Sequence, residues 1–247
     1  MTSKVDQKIL ESSDPADSVT STDAAWRRSD SADLYRIDQW GEGYFEIGDN
    51  GHLVVVPRLG RADRIDLHEV VQGMNDRGVS TPIVIGFPEI VEDRMDHLAG
   101  AFARAIDENG FQAGYTAVYP VKVNQHRHLV SGIEKYGRKL GFGLEVGSKP
   151  ELLAAISLTV GTGDRLIICN GFKERRYIHH ILLATKLGRR VVAVIENLDE
   201  LALLLEQSRE TEVRPHIGIR LKLDTPSIGR WQHSTGEKAK FGLTIPG

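Results

Sequence analysis

One lysine, Lys122, stands in a segment that otherwise has the residues of a buried β-strand. The segment is Tyr115-Thr-Ala-Val-Tyr-Pro-Val-Lys-Val-Asn-Gln125. Burying an ammonium group is costly unless the group is paired, neutralised or used covalently. Desolvation also makes a lysine amine easier to deprotonate, which a Schiff-base nucleophile requires. Lys122 is therefore either a solvent-facing lysine at a strand end or a covalent catalyst.

Polar side chains also close the four strand-like segments that follow. They are Glu145, then Cys169 and Asn170, then Glu196, then Arg220 and Lys222. Parallel strands end at one edge of a sheet or barrel, where such folds carry their sites. We expect Lys122, Glu145 and Arg220 to converge there, with the arginine suited to an anion. Taken singly, Glu145 also fits a cap-adjacent acid, Arg220 an ion pair at the core edge, and Cys169 a small buried apolar residue.

A repeated unit of short strand, turn and amphipathic helix positions these residues. The strands are predicted over 116–124, 142–147, 165–169, 191–195 and 216–222. The middle strands are continuously apolar, which is typical of parallel strands covered on both faces. Two helix starts have capping-box spacing, Ser148 with Glu151 and Asn197 with Glu200. This pattern predicts a parallel α/β fold.

Three regions are expected along the chain. Residues 1–38 are rich in Ser, Asp and Thr and predict a disordered tail. Residues 39–87 form an N-terminal β/α segment, and 88–247 form the repeated α/β part. Within the second region we expect a hairpin over 44–56 with its turn at 49–51, a helix over 66–77 and a strand over 81–87. A long helix should begin at Pro88 and end near Asn109.

The composition narrows the classes of function. With 40% hydrophobic and 26% charged residues among 247, the chain has the composition of a soluble globular protein. A net charge of -3 without a basic cluster argues against nucleic acid or an anionic membrane as partner. No apolar run approaches the roughly 20 residues of a membrane span. A single cysteine excludes an intrachain disulfide. We expect a cytoplasmic protein with a small-molecule ligand and no metal site.

Four long motifs, in order, resemble those of arginine decarboxylases in the fold-type III, alanine-racemase-like family of pyridoxal-phosphate enzymes. The motifs are Tyr119-Pro-Val-Lys-Val-Asn-Gln125, Gly143-Leu-Glu-Val-Gly-Ser-Lys-Pro-Glu-Leu152, Ile168-Cys-Asn-Gly-Phe-Lys-Glu174 and Gly229-Arg-Trp-Gln-His-Ser-Thr-Gly-Glu-Lys-Ala-Lys-Phe-Gly-Leu243. The resemblance extends from about Trp40 to the last residue.

The resemblance implies a pyridoxal-phosphate-binding (β/α)8 TIM-type barrel, with N-terminal β elements belonging to a second β-domain. It assigns Lys122 to the covalent bond with the cofactor, and Glu145 and Arg220 to contacts with it. Cys169 and Asn170 would line the cofactor pocket. The implied reaction is the decarboxylation of L-arginine to agmatine and CO2 in polyamine biosynthesis. The resemblance also implies Mg²⁺ and a homo-oligomer when full length.

The chain is shorter than the family pattern requires. Eight barrel strands need about 250 residues, and here only about five fit. We therefore expect an N-terminal fragment that by itself neither holds the cofactor tightly nor turns over. Two alternatives stay open. The full-length protein is a decarboxylase of ornithine, lysine or diaminopimelate, or the chain is a truncated, non-catalytic paralogue that binds partner subunits through an open barrel edge.

Overall fold

The first part of the molecule is a small antiparallel sheet preceded by two short helices. The computed structural model describes residues 25–161, 164–222 and 242–244. The elements are α1 (Arg28–Leu34), α2 (Ile37–Trp40), β1 (Phe45–Ile47), β2 (Leu53–Val55) and β3 (Ile65–Asp66). β1 and β2 form the predicted hairpin, which is confirmed. The tail predicted over 1–38 is corrected over 28–38, because helices form there and Arg28 Nε donates to the Ile47 carbonyl oxygen at 2.7 Å, which holds α1 on the sheet.

Two helices lead from this sheet to the rest of the molecule. α3 (Leu67–Asn75) begins where the Asp66 carboxylate accepts hydrogen bonds from the backbone N–H groups of His68 and Glu69. α4 (Pro88–Glu108) has proline in its first turn, as predicted. The strand predicted over 81–87 is wrong. That apolar run meets no neighbouring strand with which it could pair, and Val84 is fully exposed.

The predicted repeat follows as a five-stranded parallel sheet with helices between the strands. Its elements are β4 (Val118–Pro120), α5 (Arg127–Gly137), β5 (Gly143–Val146), α6 (Lys149–Leu158), β6 (Leu166–Cys169), α7 (Arg175–Lys186), β7 (Arg190–Ile195), α8 (Leu198–Thr211) and β8 (His216–Ile219). Each strand pairs in parallel with the next one along the chain. This is the strand order of an arc of a (β/α)8 barrel, and the predicted partial barrel is confirmed.

The main core lies between the sheet and its helices. Strand side chains alternate between the two faces, so Leu144 on β5, Ile167 on β6 and Val191 on β7 stand side by side on the helix-facing side. They pack with fully buried helix residues such as Ile178 and Leu204. Glu145 and its register partner Ile168 therefore point to the opposite face, the inner face of the arc.

Polar contacts join the N-terminal sheet region to α4. The Tyr44 hydroxyl donates to Asp93 Oδ2 at 2.7 Å in a buried position, and Arg58 forms an ion pair with Glu92. Burial and the neighbouring Asp93 raise the pKa of Tyr44, so its hydroxyl stays protonated at neutral pH. No helix in the described ranges is long and apolar enough to cross a membrane.

A substitution at Gly143, at the start of β5, tests how closely β5 and β6 pack. A Cβ at this position would lie 2.3 Å from the Leu166 carbonyl oxygen on β6. Gly143→Ala should therefore lower the free energy of unfolding by about 1–3 kcal/mol, measured by urea denaturation. The control is Gly132→Ala in α5, where a Cβ would meet nothing within 4 Å. It should leave stability equal or raise it by up to about 1 kcal/mol. Equal losses in both variants would contradict this account of the β5–β6 contact.

Candidate active site

Lys122 lies just beyond the end of the first parallel strand. β4 stops at Pro120, and Val121–Val123 form a single 3₁₀ turn, so the predicted strand over 116–124 is too long. Buried Val121 anchors the turn, and the Tyr119 hydroxyl donates to the Asn124 carbonyl oxygen at 3.1 Å. The chain turns here because Val121 enters the core in place of continuing the strand. Lys122 is consequently exposed and lines an open concavity of about 610 Å³ formed by residues 122–127.

Glu145 and Asn170 meet on the inner face of the sheet. Asn170, directly after β6, donates from Nδ2 to Glu145 Oε1 at 2.7 Å, and its backbone N–H extends the sheet to the Val146 carbonyl oxygen. Glu145 is only 6% exposed. The amide thus fixes the orientation of a buried carboxylate.

Glu196 and Arg220 form the second polar contact on the same face. Arg220 Nη1 donates to Glu196 Oε1 at 3.2 Å, and the backbone N–H of Gly171 donates to the same oxygen at 3.0 Å. The Glu196 side chain is 1% exposed, whereas that of Arg220 is 47% exposed. The carboxylate is therefore a buried anchor for a guanidinium that reaches toward solvent.

A buried ion pair lies beside this contact. Lys173 Nζ donates to the Gly171 carbonyl oxygen at 2.7 Å and to Glu200 Oε2 at 3.3 Å. The Glu200 carboxylate also accepts the backbone N–H groups of Lys173 and Glu196. Both side chains are almost completely buried. Such a pair is stable only when hydrogen bonds satisfy its remaining polar atoms, and here the loop after β6 provides them.

The helix starts at this edge partly follow the predicted capping boxes. Asn197 accepts the backbone N–H of Glu200 at 2.9 Å, as expected. Ser148 makes no side-chain cap bond, so that part of the prediction is wrong. The Glu151 carboxylate accepts the N–H of Gly147, one residue before the cap, and also the Gln125 amide at 3.3 Å. Glu151 thereby ties the segment after Lys122 to the edge of β5.

The structure separates Cys169 from the other predicted site residues. Its side chain belongs to the helix-facing core and is 0% exposed. Burial raises the pKa of the thiol to about 12. Lys122 and Arg220 follow the two edge strands of the arc, β4 and β8. The described contacts thus bring together Glu145 with Asn170 and Glu196 with Arg220, while Lys122 stands outside both pairs.

Sequence reasoning missed three residues of this edge as parts of the site. Lys173, Glu196 and Glu200 are all buried charges, and Glu196 was noted only as a polar residue at a strand end. The acid four residues after Glu196 was a usable signal, since its carboxylate reaches back to the strand end. Lys173 gave no comparable signal.

Two further expectations concern metal binding and the motif at 229–243. Within the described ranges, no group of three or more His, Cys, Asp or Glu side chains could hold a metal ion. The motif at 229–243 lies outside the described residues except for Gly242 and Leu243. The Lys222 backbone N–H donates to the Leu243 carbonyl oxygen at 2.8 Å, so this end of the motif returns to the sheet edge just past β8.

The arrangement can bind an electrophilic, anionic small molecule. An exposed amine, a half-exposed guanidinium and buried, oriented carboxylates lie along one edge of a parallel α/β sheet.

Residues 97–246 match the family model described as pyridoxal-dependent decarboxylase, pyridoxal binding domain. This match covers more than half of the chain. The chain therefore belongs to the pyridoxal-dependent decarboxylases.

Similar proteins narrow the comparison within this family. The chain is 49% identical over 221 residues to the biosynthetic arginine decarboxylase of Synechococcus sp. (strain RCC307), covering 90% of this chain and 34% of that protein. It is 41% identical over 240 residues to the enzyme of the same name from Nostoc sp. (strain PCC 7120 / SAG 25.82 / UTEX 2576), covering 97% and 35%. The predicted resemblance is confirmed. The chain spans about a third of the length of these relatives.

Solved structures agree with this fold. The crystal structure of the biosynthetic arginine decarboxylase of Campylobacter jejuni matches with a TM-score of 0.71 and 32% identity, covering 85% of this chain and 33% of that one. A diaminopimelate decarboxylase from M. jannaschii matches with a TM-score of 0.62 at 24% identity, covering 83% and 42%. The second likeness concerns the fold alone.

The buried thiol of Cys169 predicts a specific dependence of stability on pH. Its pKa is 9.0 in the ordinary state and about 12 when folded, because burial disfavours the thiolate. Its contribution to stability is therefore complete below about pH 9 and is lost as the pH rises toward 12. The difference in unfolding free energy between the natural chain and Cys169→Ala should fall by up to about 1.4 kcal/mol per pH unit in this window. Urea denaturation at pH values from about 8 to about 11 measures it, and parallel curves would contradict a buried thiol.

Proposed function

We propose that this chain carries the cofactor-bonding lysine of a pyridoxal-phosphate-dependent arginine decarboxylase. In a protein of the relatives' length, the reaction would convert L-arginine to agmatine and CO2. The observation that carries the proposal is the position of Lys122. Its exposed amine lines an open concavity at the carboxyl edge of a parallel sheet, in a chain of the pyridoxal-binding family.

The chemistry of the donor set supports this cofactor. Pyridoxal phosphate has an aldehyde, which an exposed amine such as that of Lys122 can bond. It also has anionic oxygens, for which the half-exposed guanidinium of Arg220 is a matching donor. When bound, the cofactor supplies an electron sink for the pair of electrons that the departing carboxylate leaves behind. Lys122 and Arg220 would hold the group, with Glu145 and Asn170 beside it.

The chain's own residues would orient the reacting groups and control charge. Asn170 holds the Glu145 carboxylate in one orientation, so that its charge faces the inner side of the arc. Glu196 holds Arg220 in a comparable way. The buried pair Lys173 and Glu200 packs behind these contacts. Fixed charges in a site of low water content act more strongly than mobile charges in water.

The choice of arginine is supported by the relatives' names. The similar proteins from Synechococcus and Campylobacter jejuni are both named biosynthetic arginine decarboxylases. No observation on the described residues favours ornithine, lysine or diaminopimelate as substrate. Cytoplasmic location stays a prediction from the composition, and a homo-oligomer and Mg²⁺ stay predictions from the family resemblance.

Borohydride trapping tests the role of Lys122. A protein of the relatives' length that contains this segment, incubated with pyridoxal phosphate and reduced with borohydride, should carry a pyridoxyl group on Lys122 when its peptides are mapped by mass spectrometry. Lys122→Ala should lose this label. The matched control is Lys149→Ala, since Lys149 lies at the same edge and is 35% exposed. It should keep the label on Lys122.

The same experiment can refute the assignment. Label that persists unchanged in Lys122→Ala, or that spreads evenly over the exposed lysines, would remove Lys122 from the site. Substrate choice is tested separately, in a protein of the relatives' length that contains this segment. Release of CO2 from labelled arginine, with none from ornithine, lysine or diaminopimelate, is the expected outcome.

A further inference from the structure

The two oxygens of the buried Glu196 carboxylate have different surroundings. Its Oε1 accepts both the Gly171 N–H and Arg220 Nη1. Its Oε2 is buried and has no hydrogen-bond partner within the described part of the chain. Leaving a buried carboxylate oxygen unpaired is costly. Oε2 is therefore the atom of this side chain that is left to accept a further donor.

The support under Glu196 is rigid. Gly171 has φ +78° in the left-handed region, and a Cβ there would lie 2.2 Å from the Gly147 carbonyl oxygen, so only glycine fits. Its carbonyl oxygen is held by Lys173 Nζ, and its N–H by Glu196. The Glu196 backbone N–H is in turn bound to Glu200. The carboxylate therefore cannot shift without moving the ends of β6 and β7.

The geometry points to Glu196 as the positioning residue for Arg220. An arginine that is 47% exposed loses considerable side-chain entropy when a ligand orders it. The fixed carboxylate holds the guanidinium through Oε1 before the ligand arrives. This inference rests on the proposed function, in which Arg220 meets an anionic oxygen of pyridoxal phosphate. Glu196 itself acts through Arg220.

The first test needs no cofactor. In ¹⁵N-labelled chain, the Nη–H resonance of Arg220, assigned with Arg220→Lys, should be shifted from those of exposed arginines and exchange slowly, because Nη1 donates to Glu196. Glu196→Gln keeps an oxygen for the Gly171 N–H but loses the charge, so this resonance should move to the position of exposed arginines. Glu134→Gln is the control, because Glu134 is also a buried carboxylate but pairs with a different arginine, Arg138. It should leave the resonance in place.

An unmoved Arg220 resonance in Glu196→Gln, or the same movement in both variants, would overturn the inference. Glu196→Asp retains the charge on a shorter side chain and should shift the resonance only partly. It serves as the test if Glu196→Gln does not fold.

The second test measures the effect on ligand binding. In a protein of the relatives' length that contains this segment, pyridoxal phosphate should bind about tenfold more weakly to Glu196→Gln and to Arg220→Met, as measured by fluorescence quenching. The double variant should bind no more weakly than Arg220→Met alone, because Glu196 acts through the arginine. Additive losses would show that Glu196 acts independently and would overturn the inference. If the unsubstituted protein binds no pyridoxal phosphate, the proposed function fails, and the resonance of Arg220 still decides the role of Glu196.

Discussion

The arrangement of the strand ends at the carboxyl edge depends on the hydrogen bonds that two buried charged side chains make with the backbone of Gly171. Its N–H is bound by Glu196 and its carbonyl oxygen by Lys173, and its Cα lies against the Gly147 backbone. Three neighbouring strands therefore end at one shared backbone position. Since burial of charge is costly, the hydrogen bonds that Gly171 makes with Glu196 and Lys173 favour the loop conformation in which both form together. The loop after β6 thus has one favoured conformation.

The fixed position of Gly171 also determines which way the neighbouring polar side chains point. Asn170 precedes Gly171, and its side chain is aimed at Glu145 once Gly171 is fixed. Arg220 reaches the same network from the other side through Glu196. Where helices cover the sheet, its helix-facing side is apolar and buried, so the carboxylates of Glu145 and Glu196 are directed to the inner face. Cys169, one residue before Asn170, is on the apolar side only because side chains alternate along a strand.

Much of the fold could be predicted from local pattern. The apolar runs ending at Val146, Cys169 and Ile195 located three parallel strands, and Pro88 located the start of α4. The run over 81–87 has the same character, but a strand needs a partner, and pairing is decided by distant parts of the chain. The site was predictable to the extent that polar residues at strand ends share an edge. Which of them touch was not, because the contacts of Glu196 with Gly171 and Arg220 depend on register and on a glycine conformation.

The order of the strands has a consequence for synthesis of the protein. Each parallel strand pairs with the strand that follows it in the chain, so no pairing within the described sheet waits for a residue made much later. Contacts that are close in sequence form quickly, because little chain entropy is lost in closing them. As the polypeptide leaves the ribosome, the sheet can therefore grow one strand and helix at a time, beginning with the strand that precedes Lys122. The lysine would be in place before the residues that later surround it have been translated.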